Sequence, residues 1–311
     1  MSIAVFAVPY VPPPPPIPPW RGYEVIWRGW DGSEWNLTDW RTSGVVLMMD
    51  GLTGIHTPLF DDYVATSPRV AGQRYLGSRT QARTIDLTLL IYNDENSEGW
   101  IAQNDAFWYS MRPDRTGTLL IRGPGGKERS IDLRYTPTSA HSFSRDPASS
   151  GWAVYQPTMT ADDPYFYGDW IDIYEWQNET PQPFIPVTGA QPLNISNSSS
   201  SDKALLNNPG DVAAWPQILI TGPVTATVSI GSGSMTFPAV ASGDVLTAET
   251  DPRIAKVTSI TTGGVVTDRW ASVIPWDPRP LPVGEDISIG LSMSGTGRVK
   301  VRFQPRYFRG T

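Results

Sequence analysis

The sequence predicts a mainly β protein with two domains, in which the first domain contains one α-helix and the second is a β-sandwich. Thirty prolines and 28 glycines among 311 residues disfavour long helices and favour short strands joined by turns. Apolar and polar side chains alternate, most clearly in residues 84–92 (TIDLTLLIY). After residue 204, strand-like segments recur every ~8–12 residues, a spacing typical of a sandwich. At ~150 residues per domain, the length also fits two domains.

The chain opens with a proline-rich arm, residues 1–19. Residues 12–16 are consecutive prolines, and two more prolines follow Ile17. Such a run favours a stiff polyproline II rod, which has no internal hydrogen bonds and cannot enter the middle of a sheet. Two interpretations stay open for this arm: a tether that lies along a neighbouring subunit, and a disordered leader.

We assign residues 20–185 to the first domain. Its apolar runs are short, and Gly, Pro or Asp residues separate them, which predicts strands joined by turns. The predicted strands are residues 23–27, 45–49, 69–76, 84–92, 118–122, 129–135 and 152–160.

One helix is expected between the strands at 84–92 and 118–122. Its start has a cap in Asn96 or Ser97, and its end is set by Pro113, because the residue before a proline is disfavoured in helical geometry. Large apolar side chains at helical spacing then predict one face that packs on the sheet. These side chains are Trp100, Ile101, Phe107, Trp108 and Met111.

A linker is expected at residues 186–203, and the second domain at residues 204–311. The serine-rich stretch ISNSSSSDK, residues 195–203, has the composition of an exposed loop. No helical period competes with the strand pattern that follows. The predicted strands are residues 217–221, 225–230, 235–237, 245–249, 256–260, 265–269, 286–292 and 298–303.

Composition excludes several classes of function. Without cysteine, the chain has no disulfide, thiolate metal site or cysteine nucleophile. A net charge of −7 provides no sequence-wide basic surface for nucleic acid. No segment approaches the ~20 apolar residues that span a membrane, and residues 3–8 are too short and lack the basic flank of a signal peptide. We therefore expect no membrane anchor.

The motifs that suggest catalysis or metal binding have simpler explanations. The loop GPGGK, residues 123–127, lacks the glycine, the Ser or Thr and the following helix of a phosphate-binding loop, so a hairpin turn is expected. His56 and His141 are too few for a His-rich zinc site. The adjacent acids Asp61-Asp62 and Asp162-Asp163 do not resemble the opposed carboxyl groups of a glycosidase. We expect no catalytic, cofactor-binding or metal-binding residue and no cofactor.

Tryptophan is abundant, with 13 residues. Trp20, Trp27, Trp30, Trp35 and Trp40 lie too close in sequence for one small core to bury them all, so some of them are expected to meet a partner. In the second domain, Trp270 and Trp276 are the candidates for contact with a sugar ring.

Four segments carry a resemblance to a known family. They are ADDPYFYG (residues 161–168), NNPGDVAAWPQILITGP (207–223), SGDVLTAETDPR (242–253) and PLPVGEDISIGLSM (280–293). In this order, they resemble the distal tail protein family of long-tailed bacteriophages, also called phage tail or minor tail proteins. Each has a structural explanation, since Asn208-Pro209-Gly210, Gly243-Asp244 and Gly284-Glu285-Asp286 are all expected to form turns.

The resemblance implies a tail-tube-like first domain and a galectin-like or carbohydrate-module-like sandwich. It also implies a hexameric ring in the virion, made in the bacterial cytoplasm, that joins the tail tube to the baseplate hub and lets DNA pass through its channel without specific binding. The proline-rich arm departs from the family pattern. Two alternatives stay open: a carbohydrate-binding module that contacts the host surface, and a cell-wall hydrolase, which would need two carboxylates in one cleft.

Overall fold

The structure, a computed structural model, describes residues 22–137, 143, 145–177 and 199–311. The proline-rich arm, His141, Trp20 and residues 186–198 of the predicted linker lie outside the described residues. Within them the chain is mainly β, as the sequence predicts, and forms two lobes with separate hydrophobic cores.

The first lobe contains eleven strands and two α-helices among the described residues. They are β1 (Glu24–Arg28), β2 (Glu34–Asn36), β3 (Val45–Leu52), β4 (Phe60–Ser67), β5 (Val70–Thr80), β6 (Arg83–Tyr92), α1 (Ser97–Ser110), β7 (Thr116–Arg122), β8 (Glu128–Thr136), α2 (Pro147–Ser150), β9 (Trp152–Tyr155), β10 (Thr158–Ala161) and β11 (Phe166–Tyr167).

The second lobe continues with strands and one short 3-10 helix, Trp270–Ser272. The strands are β12 (Ile171–Gln177), β13 (Ser199–Leu206), β14 (Pro216–Thr221), β15 (Val224–Ile230), β16 (Gly233–Thr236), β17 (Val245–Glu249), β18 (Lys256–Ile260), β19 (Val266–Asp268), β20 (Ile287–Gly295) and β21 (Arg298–Phe303). The last strand, β22 (Arg306–Tyr307), returns to the sheet of the first lobe.

The main sheet of the first lobe is antiparallel, with strand order β2-β1-β7-β8-β10-β6-β3. Strand β6 follows the predicted alternation: Ile85, Leu87 and Leu89 are at most 1 % exposed, whereas Asp86 faces solvent. Because successive side chains of a strand point to opposite faces, this pattern places one face of β6 in the core. The predicted strand is therefore confirmed.

Helix α1 is confirmed, with one error in its predicted buried face. It begins after Asn96, whose side chain accepts a hydrogen bond from the backbone N–H of Gly99 at 2.7 Å. Trp100 and Phe107 are buried, but Ile101 is 44 % exposed. At about 100° per residue, Ile101 lies on the same side of the helix as Trp108, which packs against the core. Ile101 is near the start of the helix and Trp108 in its last turn, so this side of the helix is covered near its C-terminal end and exposed at its start.

The predicted strand at residues 152–160 is wrong as a single element. It consists of β9 and β10, which pair with successive parts of β6 and are separated by Gln156 and Pro157. Proline has no N–H to donate to the ladder, so pairing is interrupted there. The carbonyl of Pro157 still accepts a hydrogen bond from Leu87 at 3.0 Å.

The second lobe is a β-sandwich, as predicted. One sheet has the order β12-β21-β14-β17-β18-β19 and the other β13-β20-β15-β16. Ile218 and Val301 from the first sheet and Val228 and Leu291 from the second are at most 3 % exposed and belong to one core cluster. The two sheets are therefore packed face to face through a shared apolar layer.

Three segments belong to a different part of the fold from the one that the sequence predicts. Strand β12, placed in the first domain, pairs with β21 of the sandwich, and β22, placed in the second, pairs with β11. Residues 199–203, expected in a loop, belong to β13, which forms a full ladder with β20. Serine composition favours a loop only weakly, and pairing with β20 overrides it here. The remaining domain bounds stay a prediction.

Candidate interaction surfaces

The glycine-rich loop at residues 123–127 is the hairpin turn between β7 and β8. The backbone N–H of Gly123 donates to the carbonyl of Lys127 at 2.9 Å, and Gly126 has a φ of 78°, which favours glycine. The turn leads into a strand, so no helix N-terminus is present to bind a phosphate. The prediction of a turn is confirmed.

The acidic pairs and His56 do not come together as a catalytic group. Asp61 and Asp62 lie on the exposed strand β4, and Asp162 pairs with Arg134 at 3.1 Å. His56 is exposed on a loop. Among the described residues, no three His, Asp or Glu side chains are grouped so as to hold a metal ion. No helix in the same part of the chain has the length and apolar character needed to cross a membrane.

The segments DPYFYG and ETDPR meet where the two lobes join. Arg253 Nη1 lies 2.7 Å from Oδ1 of Asp163, and Arg306 Nη2 donates to both carboxylate oxygens of Asp163. The guanidinium of Arg306 also lies 4.7 Å from the ring centroid of Tyr165. We call Asp163, Arg253 and Arg306 the interlobe joint. The carboxylate comes from the first lobe and both arginines from segments that follow the sandwich strands.

A second carboxylate supports the joint. Asp251 accepts hydrogen bonds from the backbone N–H and from Nε of Arg253, at 3.1 and 3.0 Å. Partial burial acts to raise the pKa of Asp251, but the hydrogen bonds from Arg253 outweigh it and hold that pKa below its ordinary value of 3.8. Hydrogen bonds to Asp251 and Asp163 raise the pKa of Arg253, so it stays charged at any physiological pH.

Arg83 is the central side chain beneath the joint, and sequence analysis missed it. It is 3 % exposed and donates only to backbone carbonyls. Burial lowers its pKa to about 10, which leaves it protonated at neutral pH. The sequence signal for it is an arginine at the start of an apolar strand. Its acceptors are Pro164 (2.7 Å), Gly54 (3.0 Å), His56 (2.6 Å) and Phe308 (2.6 Å).

Asn208, at the entry to the sandwich, is a second buried side chain that donates hydrogen bonds to backbone carbonyls. It is 2 % exposed, and its amide nitrogen donates to the carbonyls of Val212 and Leu281, both at 3.0 Å. Its side-chain oxygen accepts from the N–H of Gly210 at 2.9 Å. A Cβ on Gly210 would lie 2.6 Å from the carbonyl oxygen of Arg306, so only glycine fits there. The predicted turn at these residues is confirmed.

The β4–β5 hairpin is exposed along its length. Every residue of β4 is exposed, and among the described residues the two strands pair only with each other. Apolar side chains lie along its length: Tyr63 and Tyr75 are 54 % and 60 % exposed, and Leu76 is 60 % exposed. The eleven residues of β5 extend about 36 Å at about 3.3 Å per residue.

Among the described residues, the contacts between the hairpin and the rest of the lobe lie at its base. Thr80 and Tyr165 share a hydrogen bond of 2.7 Å between their hydroxyl groups, and Phe60 contacts the ring of Phe308 with 6.1 Å between centroids. The backbone N–H of Gln81 donates to Leu59 at 2.9 Å. An isolated two-stranded hairpin is only marginally stable in water. The upper part of this hairpin is therefore suited to packing against another molecule.

The tryptophans that follow Trp20 differ in exposure. Trp27 is buried and donates to Ser110 at 3.1 Å, Trp30 donates to the carbonyl of Tyr109 at 2.8 Å, and Trp35 packs edge-on against Phe107. Trp40, in contrast, is 66 % exposed.

The structure brings the two predicted sugar-contact residues together. The rings of Trp270 and Trp276 have centroids 4.7 Å apart, and Trp270 is 42 % exposed. Trp276 packs in part against the sandwich core. Their planes are inclined at 53°, so the pair does not form a flat platform.

Solved structures match this chain over both lobes. The SPP1 Dit protein, described as a paradigm of the hub adsorption apparatus in phages that infect Gram-positive bacteria, superposes with a TM-score of 0.58 at 11 % identity. The match covers 92 % of this chain and 99 % of the SPP1 chain. This chain has the fold of a phage distal tail protein.

A second comparison gives the same result. A chain of the phage P2 baseplate, in its activated conformation with Ca, has a TM-score of 0.57 at 12 % identity, with coverage of 91 % of this chain and 98 % of that one. The same baseplate with Sr gives a TM-score of 0.56 at 12 % identity and coverage of 91 % and 97 %. No protein-family model and no curated protein matches the sequence. The resemblance drawn from the four sequence segments is thus confirmed at the level of the fold.

Proposed function

We propose that this protein is a structural component of a phage tail tip, a distal tail protein that joins the tail tube to the baseplate hub. In this proposal six copies form a ring in the virion, and DNA passes through its channel without specific binding. The observation that carries it is the match of nearly the whole chain to nearly the whole of a hub protein, both lobes included. A shared lobe alone would not have distinguished a hub subunit from another β protein.

The β4–β5 hairpin supports assembly and supplies a contact for it. Its strands carry exposed apolar side chains and unpaired edges, features that proteins usually cover. In a ring each subunit meets the next through two different surfaces. We assign the upper hairpin, with Tyr63, Tyr75 and Leu76, to the contact with the next copy.

The interlobe joint supports a scaffolding role rather than catalysis. Its carboxylate and guanidinium groups are paired with one another across the two lobes. The proposed role for these charges is to hold the sandwich at a fixed orientation to the ring-forming lobe. We propose no enzymatic activity for the chain.

Electron microscopy of the purified protein tests the proposed assembly. Negative-stain images are expected to show rings with six-fold symmetry and a central hole, and these rings are expected to cap the end of purified tail tubes. Rings of another symmetry would overturn the hexamer, and particles that neither form rings nor bind tubes would overturn the tail-tip function.

Carbohydrate binding at Trp270 and Trp276 is a second proposal. The observation that favours it is that Trp270, which is 42 % exposed, lies beside Trp276 with 4.7 Å between the ring centroids, so both rings could contact one sugar. A glycan array is expected to show binding that Trp270→Ala removes. An array without signal would eliminate the proposal for the isolated protein.

A further inference from the structure

A second exposed surface, lined by aromatic and charged side chains, lies at one end of the main sheet of the first lobe. There, the start of β1, the turn after β2 and the β7–β8 turn surround a groove of about 740 Å³. Tyr23, Trp40 and Pro124 contribute to its walls. Tyr23 is 47 % exposed and Trp40 66 % exposed, although both are large rings. We call this surface the Trp40 groove.

The groove contains both aromatic rings and hydrogen-bond donors that have no acceptor among the described residues. Within the described part of the chain, neither the indole N–H of Trp40 nor the hydroxyl of Tyr23 has a hydrogen-bond partner. The backbone carbonyl of Trp40 accepts from Tyr92, and the guanidinium of Arg41 lies 5.2 Å from the centroid of the Trp40 ring. Grooves lined by aromatic rings are the surfaces that bind polyproline II segments. Such segments have no internal hydrogen bonds, so their carbonyls are free to accept from a tryptophan or tyrosine.

The chain itself contains a ligand of this type. None of residues 1–19 is charged, and prolines recur at every third position, as Pro12, Pro15 and Pro18 and again as Pro13, Pro16 and Pro19. Polyproline II has three residues per turn, so a spacing of three places prolines on one face. We propose that the Trp40 groove binds the proline-rich arm, residues 1–19, of a second copy of this chain.

The point of attachment favours a second copy over the same chain. Gly22 and Tyr23 are themselves part of the groove wall, and the prolines at residues 12–16 precede Gly22 by six to ten residues. In the polyproline II form that the sequence favours, a rise of about 3.1 Å per residue would place these prolines roughly 20–30 Å from Gly22. Such a rod would have to reverse its direction to enter its own groove, whereas a neighbouring groove requires no reversal. The proposal rests on the proposed function in one respect, because the assembled ring is what brings a second copy next to the groove.

Cross-linking tests the proposal in the full-length chain. Because the natural sequence has no cysteine, introduced cysteines are the only ones present. One variant carries Ile17→Cys in the arm and another, with a mass tag, carries Thr38→Cys at the groove, where Thr38 lines the wall. A third variant carries Ser272→Cys at an exposed position of the sandwich and serves as the matched control. Variants are mixed in equal amounts, scored for rings by negative stain, and treated with a short bismaleimide.

The expected result is an Ile17–Thr38 heterodimer in at least fivefold greater yield than the Ile17–Ser272 heterodimer. Adding Trp40→Ala to the groove variant is expected to reduce the yield at least fivefold, whereas Trp152→Ala, at another exposed tryptophan, leaves it unchanged.

Rings without the heterodimer would overturn the arm contact and leave the proposed function intact. A cross-link confined to one chain, in a variant with both cysteines, would overturn the assignment to a second copy. Absence of rings, with the heterodimer present, would count against the proposed function alone.

Discussion

The interlobe joint and the β4–β5 hairpin are neighbours in the fold, but they differ in their contacts. The polar groups of the joint are paired within the chain, whereas the apolar side chains of the hairpin are left exposed. In the joint, Asp163 is paired with Arg253 and Arg306. Beneath it, Arg83 is buried and directs its guanidinium at four backbone carbonyls. Along the hairpin, Tyr63 and Leu76 are more than half exposed, and the strand edges have no described partner.

The difference separates folding from assembly. A buried charge is tolerated only when hydrogen bonds satisfy it, so the contacts of Arg83 beneath the joint must form as the chain folds. An exposed hairpin contributes little to the stability of its own chain but offers apolar area to a neighbour. Substitutions in the joint should therefore lower the free energy of unfolding, and substitutions in the hairpin should act on assembly.

The largest effect on stability is expected from Arg83→Met. Methionine retains most of the apolar volume but donates no hydrogen bond, so the carbonyls of Gly54, His56, Pro164 and Phe308 lose their common donor. The free energy of unfolding, measured by urea denaturation, should fall by about 3 kcal/mol. The control Arg74→Met, on the exposed strand β5, should change it by less than about 0.5 kcal/mol. Equal effects of the two variants would show that Arg83 has no special role.

Asn208→Ala should have the next largest effect. It removes three hydrogen bonds at a site that is 2 % exposed and leaves the N–H of Gly210 without its acceptor. We expect a loss of about 2 kcal/mol in the free energy of unfolding. Asn207→Ala, at the exposed neighbouring position, is the matched control and should be nearly neutral. A neutral Asn208→Ala would contradict the role of this side chain in the turn.

A smaller effect, dependent on pH, is expected at Asp251. Its pKa in the folded protein lies below the ordinary value of 3.8, so its ionised form stabilises the fold above that value and the benefit is lost as the pH falls through the folded pKa. The difference in free energy of unfolding between the wild type and Asp251→Asn should therefore be positive at pH 7 and shrink below about pH 4. A difference that grows on acidification would have the wrong sign.

The smallest effect on stability is expected in the hairpin. Leu76→Ser replaces a side chain that is 60 % exposed, so the free energy of unfolding, measured at a concentration at which the wild type is monomeric, should change by less than about 0.5 kcal/mol. A loss of more than about 1 kcal/mol would mean that the hairpin is part of the fold of its own chain.

Local patterns predicted much of the fold. The alternation in β6, the cap at Asn96 and the turn at residues 123–127 each depend on residues close together in sequence, and each is confirmed. The four family-like segments also predicted the overall fold. Their turn residues prove to be structural, as Asn208 and Gly210 show.

Long-range contacts were not predictable in the same way. Arg83 bonds Phe308 across 225 positions, and Arg306 bonds Asp163 across 143. No periodicity in the sequence links such residues. The strand at residues 199–206 was missed because its serines favour a loop and only pairing with β20 makes it a strand. The exposure of β4 could not be predicted from the sequence either, because the burial of a strand depends on which other elements pack against it.

The mass of the assembled protein tests the central claim most directly. Mass photometry of the wild type should show a species of six copies, which Leu76→Ser should reduce to smaller species. At a protein concentration at which both proteins are monomeric, their urea midpoints should be equal, since assembly itself adds to apparent stability. The control Val265→Ser, at an equally exposed apolar residue of the sandwich, should assemble like the wild type. A hexamer that survives Leu76→Ser and further substitutions at Tyr63 and Tyr75 would contradict the assignment of the hairpin to the contact between copies.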